Sequence, residues 1–348
     1  MAKTKHSLLR LYGFALTLSA FLLLFVGYKE GFQAFMTVLV LAALEVTFSF
    51  DNAIINAKVL EKMSKGWQFI FMTVGIFVAV FVVRVLLPIY IVALTTSTAF
   101  ASVVDLVLHD ATAYADKLEI AQPMIAAFGG MFLLMIFLDF IFESRDIRWL
   151  KKIEVNLHRI GKIENASITL AIAALLATVS WFTPTDEHEK VLIAGLIGLV
   201  TYLVINALDS LVSHDKVHAA DAKKSTFKAG LIGFMYLELI DASFSLDGVV
   251  GAFAITKSVL LIAVGLGIGA LFVRAMTVHL LRRGVLNKYR YLEHGAHYAI
   301  GILAVVMLLS IKLEVPEAIT GGTGILVIFA ALTHSHVEAR RHHAKPLI

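Results

Sequence analysis

Long apolar segments constrain this chain more than any other feature of its sequence. A helix needs about 20 apolar residues to cross the hydrocarbon core of a bilayer, and most of these segments reach or approach that length. Only 16% of the residues are charged, against about 25% in ordinary soluble domains. Because lipid offers no hydrogen bonds to an open backbone, and the segments lack the alternation of barrel strands, we expect membrane-spanning helices. The ten segments are residues 8–27, 33–57, 67–94, 121–142, 166–182, 191–210, 229–254, 258–281, 297–311 and 320–334.

The lysines and arginines between these segments predict the orientation of the chain. With ten spans and a cytoplasmic N-terminus, 23 of them fall on the cytoplasmic side and five on the opposite side. Because cytoplasmic connections carry an excess of Lys and Arg, this asymmetry favours ten spans with both termini in the cytoplasm. We therefore expect a multi-pass protein of the cytoplasmic (inner) membrane, whose first apolar segment is a retained helix rather than a cleaved signal peptide.

Two polar motifs inside apolar segments repeat each other. The sequence FSFDNAIINA at 48–57 matches FSLDGVVGAF at 244–253, so that Asp51 aligns with Asp247. The same alignment places Ser49 over Ser245 and Glu45 over Asp241. Downstream, VGIFVAVFVVR at 74–84 matches VGLGIGALFVR at 264–274, and both stretches end in an arginine. Two matches in the same order indicate an internal repeat rather than a shared apolar bias.

The repeated motifs begin in the second and seventh predicted spans, which cross the membrane in opposite directions. The sequence therefore predicts a 3+3 inverted-topology repeat, an arrangement found in many secondary transporters, whose substrate sites lie near the midplane between the halves. We divide the chain into five parts. They are an N-terminal helix (1–32), a first repeat (33–142), a linking region with two helices (143–228), a second repeat (229–311), and a last helix with a cytoplasmic His/Arg-rich tail (312–348).

Six acidic residues lie within predicted spans, and only Arg84 and Arg274 accompany them. The acids are Glu45, Asp51, Asp139, Glu238, Asp241 and Asp247. An ionised group at the bilayer centre costs about 2.5–3.5 kcal/mol even on the mildest scale, so protonation, water or a bound cation must relieve the excess. Helical spacing places two polar sets on one face each. One set is Glu45, Ser49, Asn52 and Asn56, and the other is Glu238, Asp241, Ser245 and Gly248.

Asp51 and Asp247 do not join these faces, and two interpretations remain open. Either each aspartate faces the arginine of its repeat, or the helix is broken near it. The Asp-Gly pair at 247–248 makes a break more plausible in the second repeat than in the first. If each Asp–Arg pair only ties neighbouring helices, Arg84 and Arg274 compensate charge. That interpretation leaves Glu45, Asp241 and Glu238 without an evident basic partner, which favours a cation or proton role for these three.

The available ligands narrow the class of ion. The chain has no cysteine, so the polar groups within the spans offer carboxylate, amide, hydroxyl and backbone oxygens. Oxygen ligands suit Mn²⁺, Mg²⁺ or Ca²⁺ and do not choose among the three. We expect no tightly bound cofactor, and the partners that we expect are the bilayer and a metal ion, with no nucleic acid. The sequence carries no phosphate-binding glycine loop and no H-E-x-x-H or G-x-S-x-G motif, which argues against an enzyme.

The motifs LEVTFSFDNAIINA (44–57) and YLELIDASFSLDGVVGAFA (236–254) resemble those of the TerC-like integral membrane proteins. That family is similar in fold to the LysE-type exporter group. The resemblance implies tellurium resistance or Mn²⁺ export. It also implies metal ligands at Glu45, Asp51, Asn52, Asp241 and Asp247. The polar helix faces described above add supporting residues, which are Ser49, Asn56, Glu238, Ser245 and Gly248. Gly248 stands where the resemblance implies an asparagine, so the second motif lacks one side-chain ligand.

Two functions follow from these patterns. The first is a transporter, and by the resemblance an exporter, of a metal cation that binds intramembrane carboxylates and is released by alternating access. The second is a membrane assembly or metal- or tellurium-stress factor, in which buried Asp–Arg pairs only fix helix packing. Saturable ion binding would distinguish the first from the second.

Overall fold

The computed structural model describes residues 8–215, 222–313 and 315–343, and within these ranges all regular structure is helical. A few side chains inside the helices, that of Asp247 among them, lie outside the described set. The first part of the chain forms helices α1 (Leu8–Glu30), α2 (Phe32–Phe48), α3 (Phe50–Glu61), α4 (Lys65–Phe77), a π-helical segment (Val78–Leu86), α5 (Leu87–Thr95), α6 (Phe100–His109) and α7 (Ala111–Phe142).

The second part of the chain continues the same architecture. It forms α8 (Lys151–Gly161), α9 (Ala166–Phe182), a short 3-10 turn (Thr185–Glu187), α10 (His188–Asp215), α11 (Ala222–Ile255), α12 (Val259–Arg283), α13 (Val285–Lys288), α14 (Leu292–Leu309) and α15 (Glu317–His343). The repeat units predicted at 33–142 and 229–311 thus correspond to α2–α7 and α11–α14.

Seven helices among the described residues are long and apolar enough to cross a membrane, and the number rises to nine if two bent pairs each count as one span. The bent pairs are α2–α3, at 54°, and α8–α9, at 97°. Every apolar segment of the sequence coincides closely with one helix or with a run of consecutive helices, so the prediction of an all-α chain with several candidate membrane spans is confirmed for the described residues. The predicted number of ten spans exceeds this count. Residues 95–120 lie between two predicted spans, yet they also contain helix, namely α6 and the first ten residues of α7.

Helix α7 forms the centre of the described structure. It is the most deeply buried candidate span and packs against α10, α11 and α14. A Cβ atom at Gly130 would lie 3.0 Å from the Leu308 side chain, and one at Gly301 would lie 2.7 Å from the Phe137 ring. Small residues let helix backbones approach closely in membranes. The third helices of the two predicted repeat units therefore pack directly against each other.

The two motif-bearing regions also pack across one another. Helix α2 lies along α12, while α11 lies against the π-helical segment that follows α4. Helix α3 contacts α11, α12 and α14. Each region therefore contributes its first helix to a surface formed by the second helix of the other, and the polar motifs meet at this crossing.

Candidate functional site

The helix that carries the first motif is interrupted among its polar residues. Helix α2 ends at Phe48 and α3 begins at Phe50, with Ser49 between them at φ −95° and ψ 20°. The Ser49 N–H donates to the Glu45 carbonyl at 3.0 Å, which completes the last turn of α2 before the chain bends. The bend places the start of α3 at an angle of 54° to α2.

Local side-chain hydrogen bonds account for the position of this break. Hydroxyl and carboxylate groups that bond to nearby backbone compete with the helical ladder and bend helices. Two such groups lie here: Thr47 Oγ1 donates to the Ala43 carbonyl, and Asp51 Oδ1 accepts from the Asn52 N–H. Between them, Ser49 Oγ donates to the side-chain oxygen Glu45 Oε1. The prediction that a break is more plausible in the second repeat is wrong, because α11 runs unbroken from Ala222 to Ile255. A glycine inside a helix costs only about 1 kcal/mol, which tertiary packing readily offsets.

A second irregularity positions Arg84. Residues Val78–Leu86 form a π-helix within the span that begins at Lys65. Arg84 Nη1 donates to the carbonyl of Ala79, five residues earlier, at 2.9 Å. π-Helical turns are rare and occur often at functional sites. The matching stretch of α12 is regular α-helix, so this widening belongs to the first motif region alone.

Arg84 joins acids from both halves of the molecule. Its Nη2 atom lies 2.5 Å from Glu45 Oε1, and its Nη1 atom lies 3.5 Å from Asp241 Oδ2. All three side chains are buried. Asp51, the aspartate that aligns with the second motif, does not pair with Arg84. The first of the two open interpretations is therefore wrong for Asp51, and the helix break is the feature that the structure contains.

Arg274 repeats this arrangement from the other half. Its Nη2 atom lies 2.9 Å and 3.1 Å from the two carboxylate oxygens of Glu238 and 3.9 Å from Asp241 Oδ2. Its Nη1 atom donates to the Phe71 carbonyl at 2.8 Å, and the guanidinium carbon lies 4.0 Å from the Phe71 ring centroid. A Cβ atom at Gly75 would lie 2.4 Å from Arg274 Nη1, so only glycine leaves room for this group.

The expectation that Glu45, Glu238 and Asp241 lack basic partners is therefore wrong. Each of the three contacts at least one arginine, and Asp241 lies between both. The sequence alignment joined each arginine to the acids of its own repeat. It contained no signal that the two regions pack across each other, which is what carries Asp241 to Arg84.

Helices α3 and α11 face each other through oxygen-rich side chains. Asn52 Nδ2 donates to Asp241 Oδ1 at 2.8 Å. Four buried oxygens in this region have no hydrogen-bond partner among the described residues: Asn52 Oδ1, Asn56 Oδ1, Asp241 Oδ2 and Ser245 Oγ. A buried acceptor without a partner costs about 1–3 kcal/mol. Asn52 and Asn56, like Asp241 and Ser245, are four residues apart and so share a helix face. All four are hard oxygen atoms, and they lie on two adjoining helices.

Asp51 lies in a different environment. It lines a cavity of about 70 Å³ at the helix break, together with Glu45, Ser49 and Gly248. Its side chain is buried, and within the described part of the chain it forms no ion pair with a basic residue. Its Oδ1 atom accepts a hydrogen bond from the Asn52 N–H at 2.9 Å. Among the described residues, Asp51 is thus a buried acid that faces a small cavity without a counter-charge.

A second cavity, of about 760 Å³, lies on the other side of the arginine cluster. Along α11, four residues line the large cavity (Ala229, Ile232, Gly233 and Tyr236). Glu238 and Asp241 follow in the cluster, and four later residues line the small cavity (Phe244, Gly248, Ala252 and Ile255). The same order is found on helix α3, where Asp51 lines the small cavity, Asn52 binds the cluster and Lys58 lines the large cavity. Because a helix rises 1.5 Å per residue, the charged cluster separates the two cavities along both helices. Asp139 lines the large cavity and accepts a hydrogen bond of 2.7 Å from the Tyr202 hydroxyl.

Comparison with known proteins identifies the family. A family described as "Protein of unknown function (DUF475)" matches residues 50–342, which is more than half of the 348-residue chain. The chain belongs to this family. No curated protein and no solved structure matches it. The resemblance to TerC-like and LysE-type proteins is therefore wrong as a family assignment, because short acidic motifs at similar spacing do not define a family.

In this DUF475 chain, the predicted site residues fall into three groups. The charged cluster contains Glu45, Arg84, Glu238, Asp241 and Arg274, with Asn52 bound to it. Ser49, Asp51 and Gly248 line the small cavity, and Asn56 and Ser245 carry oxygens without hydrogen-bond partners among the described residues. Asp247 lies outside the residues whose side chains are described. In the described chain, no group of three or more His, Asp or Glu side chains is arranged to hold a metal ion.

Sequence reasoning missed two glycines that shape the cluster. Gly75 accommodates Arg274, and a Cβ atom at Gly269 would lie 2.4 Å from Glu45 Cβ. Gly75 belongs to the repeated V-G-x7-V-R stretch, so its conservation between the two motifs was a usable signal. Gly269 had no such signal, since Ala79 stands at the matching position of the first stretch.

Proposed function

We propose that this protein is an integral membrane transporter that carries a hard divalent cation through the site between its two motif regions. The observation that supports this most directly is Asp51, a buried acid that faces a cavity without a basic partner in the described chain. Ionised at the bilayer centre, such a group costs about 2.5–3.5 kcal/mol. A cation in the cavity would offset that cost. Structural ion pairing does not account for this residue.

The surrounding oxygens favour a hard metal ion. Asp51 and Glu45 face the small cavity. In the described chain, Asn52, Asn56 and Ser245 each carry an oxygen without a hydrogen-bond partner. Asp241 Oδ2 also lacks a hydrogen bond there, although it lies near both arginines. These ligand types suit Mg²⁺, Mn²⁺ or Ca²⁺. Asp247 completes the predicted ligand set by sequence alone. In the absence of the ion, Arg84 and Arg274 would offset the charge of the remaining acids, and we assign no catalytic role to any residue.

The arrangement of cavities suits alternating access. A charged cluster separates a small cavity from a large one, and the helix break at Ser49 offers a point at which α2 and α3 can change their relative angle. Broken helices at the junction of inverted repeats bind ions in many transporters. We propose that the motif regions form such an inverted repeat within ten spans, with both termini in the cytoplasm and the protein in the inner membrane, as the distribution of Lys and Arg suggests. Export and a preference for Mn²⁺ rested on the TerC resemblance, so the proposal leaves both open.

Transport into vesicles tests this proposal. We expect purified protein in proteoliposomes to accumulate at least one ion of a panel of Mn²⁺, Mg²⁺ and Ca²⁺, and Asp51→Asn to stop that uptake. Asp105→Asn is the matched control, because it makes the same chemical change at an exposed residue of α6. Uptake no greater than in protein-free vesicles for every ion, or unchanged uptake in Asp51→Asn, would contradict transport.

A second candidate is a membrane factor without transport, whose buried charges hold helices together. The observation that favours it is that Glu45, Glu238 and Asp241 all contact arginines. This function predicts that neutralising Glu238 and Arg274 together preserves both stability and cellular phenotype. It also predicts that no divalent ion changes the melting temperature, whereas a ligand that binds the native state must raise it.

A further inference from the structure

Helix α8 lies across the ends of neighbouring spans rather than along them. It meets α9 at 97°, and two contacts fasten it to Phe142, the last residue of α7. His158 Nδ1 lies 3.0 Å from the Phe142 carbonyl oxygen. A Cβ atom at Gly161 would lie 2.5 Å from Phe142 Cβ, so the backbones meet closely there. The helix is therefore held at the end of a membrane-spanning segment.

A buried acid fixes the rotation of α8 about its own axis. Glu154 Oε1 accepts the backbone N–H groups of Trp149 and Leu150, at 3.1 Å and 2.9 Å, and so caps the start of the helix. Tyr298 donates its hydroxyl to the same oxygen at 3.3 Å. Because Glu154 is turned into the protein and held there, the opposite face of α8 is turned outward.

This outward face has an apolar edge and a basic edge. Ile153 and Ile160 are seven residues apart, hence on one edge, and are 50% and 46% exposed. Lys152 and Arg159 are also exposed and seven residues apart. At 3.6 residues per turn, their edge lies about 100° around the helix from the isoleucines. Residues 151–162 carry four Lys or Arg and a single acid, the buried Glu154.

We propose that α8 is an interfacial helix whose outward face binds the headgroup layer of the surrounding bilayer and prefers anionic phospholipids. Helices of this kind lie in the interface plane with the apolar edge in the acyl boundary and basic residues at the phosphates. Ile163, 64% exposed, and Leu170 and Leu176, 46% and 52% exposed, continue the apolar edge onto α9. Exposed apolar side chains of a candidate span thus continue, past the polar turn at residues 164–165, onto α8. This favours lipid over a second copy of the chain.

Site-specific quenching in reconstituted full-length protein tests this proposal. Because the chain has no cysteine, Ile160→Cys can carry one environment-sensitive fluorophore, and Ile153→Cys provides an independent second position. We expect nitroxide-labelled phosphatidylglycerol to quench both labels more strongly than nitroxide-labelled phosphatidylcholine. The double variant Lys152→Gln/Arg159→Gln should lower the ratio of quenching by phosphatidylglycerol to quenching by phosphatidylcholine. The expected decrease is up to about fivefold for each charge removed. The matched control is Lys190→Gln/Lys257→Gln, which removes two exposed charges elsewhere and should leave the ratio unchanged.

Three results would overturn the proposal. The first is the absence of quenching by either lipid at both positions, which would place α8 outside the bilayer. The second is a label with blue-shifted emission that neither lipid quenches. Such a label would be in an apolar environment away from lipid, because a protein partner covers the outward face of α8. The third is a ratio that the Lys152/Arg159 double variant does not change, because the basic edge would then have no preference for anionic headgroups.

Discussion

The two motif regions share their sequence pattern but differ in backbone. The first region bends at Ser49 and widens into a π-helix at Val78–Leu86, whereas α11 and α12 run as unbroken α-helices. The irregular region exposes Asp51 to a cavity and brings Arg84 across to Asp241. The regular region supplies two acids, Glu238 and Asp241, on a continuous face. The repeated motif therefore supplies the same kinds of charged residue to both regions, while the local backbone differs and leaves Asp51 facing a cavity.

The largest expected effect comes from breaking the ion pair of the regular region. Arg274→Met leaves buried acids without compensation and should destabilise the protein by about 3–5 kcal/mol. Adding Glu238→Gln should restore most of that loss, since Glu238 forms the closest contacts of this arginine. In the irregular region, adding Glu45→Gln to Arg84→Met should recover less of the loss, because Arg84 Nη1 lies closer to Asp241 Oδ2, at 3.5 Å, than Arg274 Nη2 does, at 3.9 Å. Denaturation in detergent micelles measures all four variants, and equal recovery by the two double variants would remove this difference between the regions.

A smaller effect is expected at Gly269, where the regular region makes room for Glu45. In Gly269→Ala the new Cβ would lie 2.3 Å from Glu45 Cγ, and overpacking of this kind costs about 1–3 kcal/mol. The matched control is Gly267→Ala, whose Cβ meets only Val80, at 3.2 Å. Both variants replace glycine by alanine inside α12, so they gain the same helix propensity. The difference between their unfolding free energies therefore measures the cost of the close contact with Glu45. If both variants melt alike, α2 and α12 are not in close contact at this point.

The smallest expected effect compares two aligned serines. Ser49 Oγ donates to Glu45 Oε1 at 3.2 Å, so Ser49→Ala should lose about 0.5–1.5 kcal/mol. Ser245 Oγ is buried without a hydrogen-bond partner in the described chain. Ser245→Ala should therefore be neutral or slightly stabilising in the absence of a bound ion. Melting curves of both variants test this, and a larger loss for Ser245→Ala than for Ser49→Ala would reverse the assignment of roles.

Much of the fold is predictable from the sequence because the bilayer forces apolar segments into helices. Each predicted segment coincides closely with one helix or with consecutive helices. Of the residues that the repeat aligns, Glu45, Asp241 and both arginines do meet, whereas Asp51 lies at the small cavity. The helix break at Ser49 is harder to predict from the sequence. The break depends on several weak side-chain hydrogen bonds near residue 49. The Asp-Gly pair at 247–248 is a stronger local signal for a helix break, but packing keeps α11 continuous there. The π-helix around Arg84 has no evident local signature in the sequence.

The pairing of charges was beyond prediction for a different reason. Spacing along one helix shows that Glu45 and Ser49 share a face, and the two residues do form a hydrogen bond. The spacing does not show which neighbouring helix lies opposite that face. Asp241 reaches Arg84 only because α11 packs against the π-helical segment, and that choice depends on the whole assembly of helices around α7.

Thermal unfolding of the full-length protein with and without divalent cations tests the central claim most directly. We expect Mn²⁺, Mg²⁺ or Ca²⁺ to raise the melting temperature of the wild type, since a ligand at 100 times its dissociation constant stabilises by about 2.7 kcal/mol. Asp51→Asn should abolish this shift, and the surface control Asp105→Asn should retain it. No shift with any ion, or the same shift in Asp51→Asn as in the wild type, would contradict a cation site at the helix break.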